Sequence, residues 1–237
     1  EHSFPTRRSS DLLNCAVNAA TGRELSYVLT PTAQRKHVVV IGGGPAGMEA
    51  ARVADLRGHR VTLLERQGRL GGSMLLASTV HAENEAFFQW LTQQVKDSSV
   101  DLRLGTEASA ELLFDLKPDA IVVATGARVA TPDIPGSDQP NVFSGAQLRR
   151  VMEGQATAAD FTFLPTPLRN LATAFMRAIS TYLKPALLRN ITRLWLPLGR
   201  RVVIVGADLA AIELAEFLCQ RGRTVQISSL ERDEEAL

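Results

Sequence analysis

An apolar strand that runs directly into a glycine-rich turn constrains this chain more than any other stretch. The strand covers residues 38–41, and glycines follow it at positions 42, 44 and 47, the G-x-G-x-x-G spacing. Small and apolar residues then recur at helical spacing between residues 48 and 56. A strand, a tight turn and a helix in this order favour a pyrophosphate at the helix N-terminus, because its unpaired backbone N–H groups attract anions.

Each glycine has its own reason to be there. Gly42 allows the turn, Gly44 lets the backbone approach the phosphates, and Gly47 lets the helix pack closely on the strand. The first helical positions, Pro45 and Ala46, lie between the last two glycines. These residues predict the phosphate-binding part of a dinucleotide site.

An acidic residue at the end of the next strand supports this prediction. Glu65 follows Gly42 by 23 positions, close to the roughly 20 typical of the acid that holds the ribose hydroxyls of an adenosine. The alternative is a glycine-rich turn of some other α/β protein, with Glu65 exposed to solvent. The agreement of strand, glycines, helix, second strand and acid favours the dinucleotide site.

Composition excludes several classes of function. The net charge of +1 gives no indication of a nucleic-acid partner. Two cysteines, Cys15 and Cys219, form no disulfide framework and favour a reducing compartment, the cytoplasm. No uninterrupted apolar run reaches the ~18 residues of a membrane-spanning helix.

The sequence of the first twelve residues is not typical of a natural protein. Residues 2–12 match the translation of a common sequencing-library adapter, so residues 1–12 are interpreted as an artefact and set aside. We expect the natural protein to extend upstream of residue 13, and residues 13–36 to form a linker.

The linker carries a family resemblance. From Cys15 the sequence reads C-A-V-N-A-A-T-G-R-E, about 20 residues before the glycine motif. This resembles the linker of the 2,4-dienoyl-CoA reductase and trimethylamine dehydrogenase branch of the old yellow enzyme family, although Ala19 replaces the usual proline. The resemblance implies that Cys15 is the last of four ligands of a 4Fe–4S cluster, the others lying upstream. A buried or inert thiol is the alternative.

The resemblance also assigns residues 37–145 to an FAD-binding domain of an α/β, Rossmann-like fold with two dinucleotide-binding domains. A turn after the acid, from Arg66 to Gly72, would wrap the FAD. A plain surface loop would also explain its glycines, but its position directly after the acid favours flavin contact. A backbone group near Ala108 would meet the adenine. A further apolar strand, expected to be buried, ends in small residues that would cross close to the cofactor: Ala124, Thr125 and Gly126.

Two regions between and after these motifs are less regular. Residues 100–107 alternate apolar and polar, which suggests a short hairpin. Residues 146–199 form a helical insertion with two basic, amphipathic runs near residues 168–183 and 186–196. Such helices can lie on a membrane surface, but packing on their own domain or on a partner is favoured.

A second strand–turn–helix follows the insertion, in residues 200–237. In the family this is the start of the NAD(P)H-binding domain, here expected to be truncated. Gly206 holds the first glycine position, but Asp208 and Ala211 stand where the second and third should be. A carboxylate repels a pyrophosphate, so either the nucleotide binds displaced or the unit is structural.

The resemblance implies an FAD-dependent oxidoreductase. Reducing equivalents would pass from NAD(P)H to FAD and, in the whole protein, through 4Fe–4S to FMN in an upstream barrel that reduces a small enoyl-type substrate. Three alternatives stay open: a stand-alone two-domain NAD(P)H-dependent flavoprotein reductase, an amine dehydrogenase-like relative, and a non-catalytic nucleotide-binding module. No C-x-x-C occurs, which disfavours the disulfide-reductase class. No acid–base catalytic residue is assigned.

Overall fold

A computed structural model of the chain describes residues 15, 17–127, 134–152, 154–162, 164–179, 182, 184–194, 196 and 198–229. Each predicted nucleotide-binding unit has its own parallel sheet. The first sheet has four strands in the order β3-β2-β1-β4. Its strands are β1 (His37–Ile41), β2 (Arg60–Glu65), β3 (Asp101–Leu104) and β4 (Ala120–Val123).

Helices follow the strands of this first unit and cover its sheet. They are α1 (Pro45–Leu56), α2 (Met74–Val80), α3 (Asn84–Lys96) and α4 (Ala110–Leu116). The apolar faces of α1 and α3 meet β1 and β2 in a core that includes Met48, Leu63 and Leu91. Burying each such side chain contributes about 1.5–3 kcal/mol, which fixes α1 and its N-terminus above the sheet.

Two expectations about this unit were wrong. Residues 100–107 do not form a hairpin, because β3 is a single strand that pairs in parallel with β2, with Thr62 opposite Asp101. The strand that ends in A-T-G is not buried: Val123 of β4 is 70% exposed. In the described part of the chain, β4 is an edge strand and pairs with β1 alone, so its outer side meets solvent.

Within the two basic runs, residues 168–179 and 186–194 lie in helices, and the rest of each run is in part outside the described residues. The insertion contains α5 (Gly145–Met152), a 3₁₀ turn (Ala158–Phe161), α6 (Thr166–Ile179) and α7 (Pro185–Leu194). Asp160 closes a capping box with Thr157 and pairs with Arg150. Burial raises the pKa of this carboxyl, but the hydrogen bonds from Arg150 and Thr157 outweigh it and leave the pKa below its usual value.

Helix α7 contacts both nucleotide-binding units. The Arg189 side chain donates to the Ser78 carbonyl oxygen at 2.5 Å and pairs with the Glu85 carboxylate on α3. From the second unit, Arg221 donates to the Thr192 hydroxyl at 3.0 Å and to the Arg189 carbonyl oxygen at 3.3 Å. The insertion therefore connects the two units through one helix.

The second unit repeats the first on a smaller scale. It consists of β5 (Arg201–Val205), α8 (Leu209–Cys219) and β6 (Thr224–Ser228), with β5 and β6 paired in parallel. Across both units and the insertion, the helices among the described residues are too short or too polar to cross a bilayer.

Candidate dinucleotide site

The first and third glycines of the motif are required by close backbone packing. Gly42 has φ +107°, and a Cβ there would overlap the carbonyl oxygen of Ala124. A Cβ on Gly47 would overlap the carbonyl oxygen of Gly42. These two positions hold β1, β4 and α1 together at one point, so glycine is needed at each for the turn to form.

The second glycine leaves the N-terminus of α1 open. Gly44 is the N-cap residue, with φ −75° and ψ 180°, and no side chain caps the helix. A Cβ at Gly44 would have no heavy atom of the described residues within 4 Å. Pro45 occupies the first turn, where its missing N–H costs nothing, and Ala46 is exposed. The N–H groups of this turn are therefore available to an anion.

Glu65 lies directly beside this turn. Its side chain is buried, and its two oxygens accept hydrogen bonds from the backbone N–H of Gly43 at 2.6 Å and of Gln67 at 2.7 Å. A carboxylate offers about four acceptor positions, so capacity for hydroxyl donors remains. The Nε2 of Gln67 is buried and has no hydrogen-bond partner among the described residues. An acceptor and an unsatisfied donor thus come from neighbouring positions of the chain.

The glycine-rich turn after Glu65 folds back onto the motif. The Gly71 N–H donates to the Gly43 carbonyl oxygen at 2.8 Å. A Cβ on Gly72 would lie 3.2 Å from the Gly44 Cα. Arg66 is exposed at the start of this turn. Gly72 therefore lies beside the open helix N-terminus.

The A-T-G segment passes under the same turn. The Ala124 N–H donates to the Ile41 carbonyl oxygen at 2.8 Å, and the Ala124 Cβ would lie 3.3 Å from a Cβ on Gly47. The Thr125 nitrogen would lie 3.2 Å from a Cβ on Gly42, and Gly126 follows with φ +78°. The backbone of Ala124 and Thr125 therefore packs against the glycine turn, whether or not a ligand is bound.

Three predicted residues lie outside this cluster. Ala108 follows by two residues Thr106, whose N–H donates to the Glu65 carbonyl oxygen at 2.9 Å. Gly206 belongs to the second unit. Cys15 is exposed, and the described residues contain no group of three or more His, Cys, Asp or Glu side chains that could hold a metal ion.

The surroundings of Cys15 favour its thiolate form. Backbone hydrogen bonds from Val17 and then Asn18 lower the pKa of this thiol; desolvation opposes them, and a weaker hydrogen bond from the Thr21 side chain adds to the lowering. A thiolate is the form that ligates metals. Cys15 could therefore act as one ligand of a cluster.

Sequence reasoning included Gln67 and Gly71 in the turn after the acid without giving either its own role, and it assigned no role to Gly43. Gly43 donates to Glu65 and accepts from Gly71, and a Cβ there would lie 2.6 Å from Leu70 Cδ2. The run of three glycines at 42–44, where the motif itself requires two, was the available signal.

A parallel sheet, an open helix N-terminus over a glycine turn and an acid on the neighbouring strand define a dinucleotide-binding α/β protein of the flavoprotein oxidoreductase type. The chain belongs to the pyridine nucleotide-disulphide oxidoreductase family, whose sequence pattern matches residues 36–237.

Known relatives are much longer than this chain. It is 36% identical over 225 residues to bilirubin reductase from Mediterraneibacter gnavus. The aligned region covers 94% of this chain and 28% of that protein. It is 32% identical over 223 residues to cinnamate reductase from Clostridium sporogenes, covering 93% and 27%. The solved 2-naphthoyl-CoA reductase complex superposes with a TM-score of 0.65 at 27% identity, covering 90% and 26%. The chain thus spans about a quarter of each relative.

Proposed function

We propose that this chain is the FAD-binding part of a longer flavin-dependent oxidoreductase. The observation that carries the proposal is the open N-terminus of α1, with Gly44 as its N-cap and Glu65 held at its side by the Gly43 N–H. The N–H groups of the first turn would bind the pyrophosphate, and the Glu65 carboxylate would accept from the adenosine ribose hydroxyls. FAD, when bound, supplies the acceptance and release of reducing equivalents.

The remaining site residues support binding and orientation. Gly72 borders the helix N-terminus and Ala124 crosses under the turn, so both present backbone rather than bulky side chains. Arg66, Ala108, Thr125 and Gly126 are proposed to line the same cofactor. Binding and orientation are the contributions that a protein makes to flavin chemistry.

For the whole protein we propose membership in the 2,4-dienoyl-CoA reductase-like branch of the old yellow enzyme family. It would carry a 4Fe–4S cluster and FMN in addition to FAD. We propose that it is located in the cytoplasm. Cys15, with its lowered pKa, would supply one cluster ligand and the other ligands would come from elsewhere in the whole protein. The names of three relatives specify bilirubin, cinnamate and 2-naphthoyl-CoA as reduced compounds. All three are conjugated, unsaturated molecules, which supports an unsaturated substrate of the enoyl type. Family membership implies a nicotinamide nucleotide as the reductant.

The FAD proposal is tested by Gly44→Val. Because a Cβ at Gly44 meets no described heavy atom within 4 Å, the apo fold should survive while the backbone can no longer approach the pyrophosphate. We expect the purified wild-type chain to take up FAD and the variant to take up almost none, measured by flavin absorbance after gel filtration. Gly199→Val, also at an uncrowded position but far along the chain from the motif, is the matched control. Full flavin occupancy in Gly44→Val would overturn the assignment.

A further inference from the structure

The two nucleotide-binding units have similar backbone geometry at the first glycine and at the helix N-cap. Gly42 and Gly206 have φ of +107° and +127°, and each donates its N–H to the neighbouring strand at 2.8 Å, Gly42 to Leu64 and Gly206 to Ser228. Two residues further on, the helix N-cap is Gly44 in the first unit, with φ −75° and ψ 180°. In the second unit it is Asp208, with φ −75° and ψ 173°. The two N-caps are therefore structurally equivalent.

The equivalent positions differ in what occupies the helix N-terminus. Around Gly44 the space is open, whereas the Asp208 carboxylate accepts the backbone N–H of Ala211 at 2.9 Å. One N–H that would face a phosphate is thus already bonded, and a negative charge is fixed at the place where the phosphate charge would sit. The strand pairing also puts Ser229 at the position of Glu65, since Ser228 lies opposite Val205 as Leu64 lies opposite Ile41.

From this comparison we propose that the second unit does not hold a dinucleotide pyrophosphate at the N-terminus of α8, because the Asp208 carboxylate already occupies the position of that anion. Either nicotinamide nucleotide would meet a like charge at this helix and lose a backbone donor. In addition, the ribose of NADH would find no acidic partner at position 229. The residues present therefore do not fit NAD(P)H in the way that the first unit fits FAD. This inference goes beyond the FAD site of the proposed function, and it requires a nicotinamide nucleotide that reduces the FAD to bind in a pose displaced from the N-terminus of α8.

Substitution at Asp208 tests the inference directly. The whole chain is saturated with FAD and titrated with NADH by calorimetry, as wild type, Asp208→Gly and Asp208→Asn. Glycine accepts the same φ and costs only a few tenths of a kcal/mol as an N-cap relative to aspartate, so the fold should persist. We expect Asp208→Gly to bind NADH at least about tenfold more tightly than wild type, the effect of one charge-assisted hydrogen bond. Asn keeps a cap without the charge and should fall between them.

The reciprocal substitution provides the matched control. Gly44→Asp places the same carboxylate at the open N-cap of the first unit, where space is available. It should cap α1 and abolish FAD uptake without lowering the thermal midpoint of the apo chain. Equal NADH affinity in wild type and Asp208→Gly, or unchanged FAD uptake in Gly44→Asp, would overturn the inference. Failure of the wild-type chain to take up FAD would instead overturn the proposed function, so the two failures are distinguishable.

Discussion

Replacing Glu65 by alanine should destabilise the first unit even when no cofactor is present. The carboxylate is 7% exposed and accepts two backbone N–H groups, those of Gly43 and Gln67. A hydrogen bond to a charged group contributes about 1.5–3 kcal/mol, and the lower figure applies because the substitution also removes the cost of burying a charge. Two such bonds give a loss of about 3 kcal/mol from the free energy of unfolding.

Urea unfolding of the apo chain, followed by circular dichroism, measures this loss. With an m-value of about 2 kcal/mol/M, the midpoint should fall by about 1.5 M. Glu107→Ala, at an exposed position in the loop after β3, is the matched control and should change the free energy by less than about 0.5 kcal/mol. If the urea midpoint of apo Glu65→Ala equals that of Glu107→Ala, the Glu65 carboxylate does not stabilise the turn. Only a ligand-binding role would then remain for it.

Three further substitutions or treatments have defined outcomes. Gly47→Val should cost at least about 3 kcal/mol in urea unfolding, because its side chain would overlap the Gly42 carbonyl oxygen; a stable variant would refute the packing argument. Arg189→Gln should lower the free energy of unfolding by about 1–3 kcal/mol, because it removes the partly buried ion pair with Glu85. A decrease no larger than that caused by replacing an exposed arginine would contradict this prediction. In a Cys219→Ser background, iodoacetamide should alkylate folded Cys15 with a lower pH midpoint than it does in the urea-unfolded chain, because hydrogen bonds lower the pKa of this thiol. Because the pKa is lowered, the thiolate stays populated until the pH falls below that pKa. An alkylation midpoint that is the same in the folded and the urea-unfolded chain would show that the fold does not change the pKa of Cys15.

Local elements of the fold could be predicted because their signals are local. The strand, turn and helix around Gly42 follow from β-branched residues, glycine spacing and apolar periodicity within about 20 positions. The pairing of β3 with β2 was missed because residues 100–107 alternate in the same way in a hairpin and in a parallel edge strand. The exposure of Val123 could not be read from its apolar neighbours, since it depends on where β4 lies in the sheet.

The candidate site was predicted in composition but not in its internal contacts. Glu65 was expected from its spacing as a ribose ligand, yet its bonds to Gly43 and Gln67 depend on how three chain segments meet. Asp208 was recognised as unfavourable for a phosphate, but its hydrogen bond to Ala211 requires the geometry of a formed helix terminus. The contacts of Arg189 join residues more than 100 positions apart in sequence, a distance over which a single sequence carries no signal.

Those contacts of α7 determine how the chain can move as a whole. The Arg189 side chain is held by residues of the first unit, while its own carbonyl oxygen accepts from Arg221 of the second. A rotation of one unit relative to the other would have to break a bond on one side of this single residue. The two units are therefore joined by side-chain contacts of α7 as well as by the covalent chain, and these contacts oppose their rotation relative to one another.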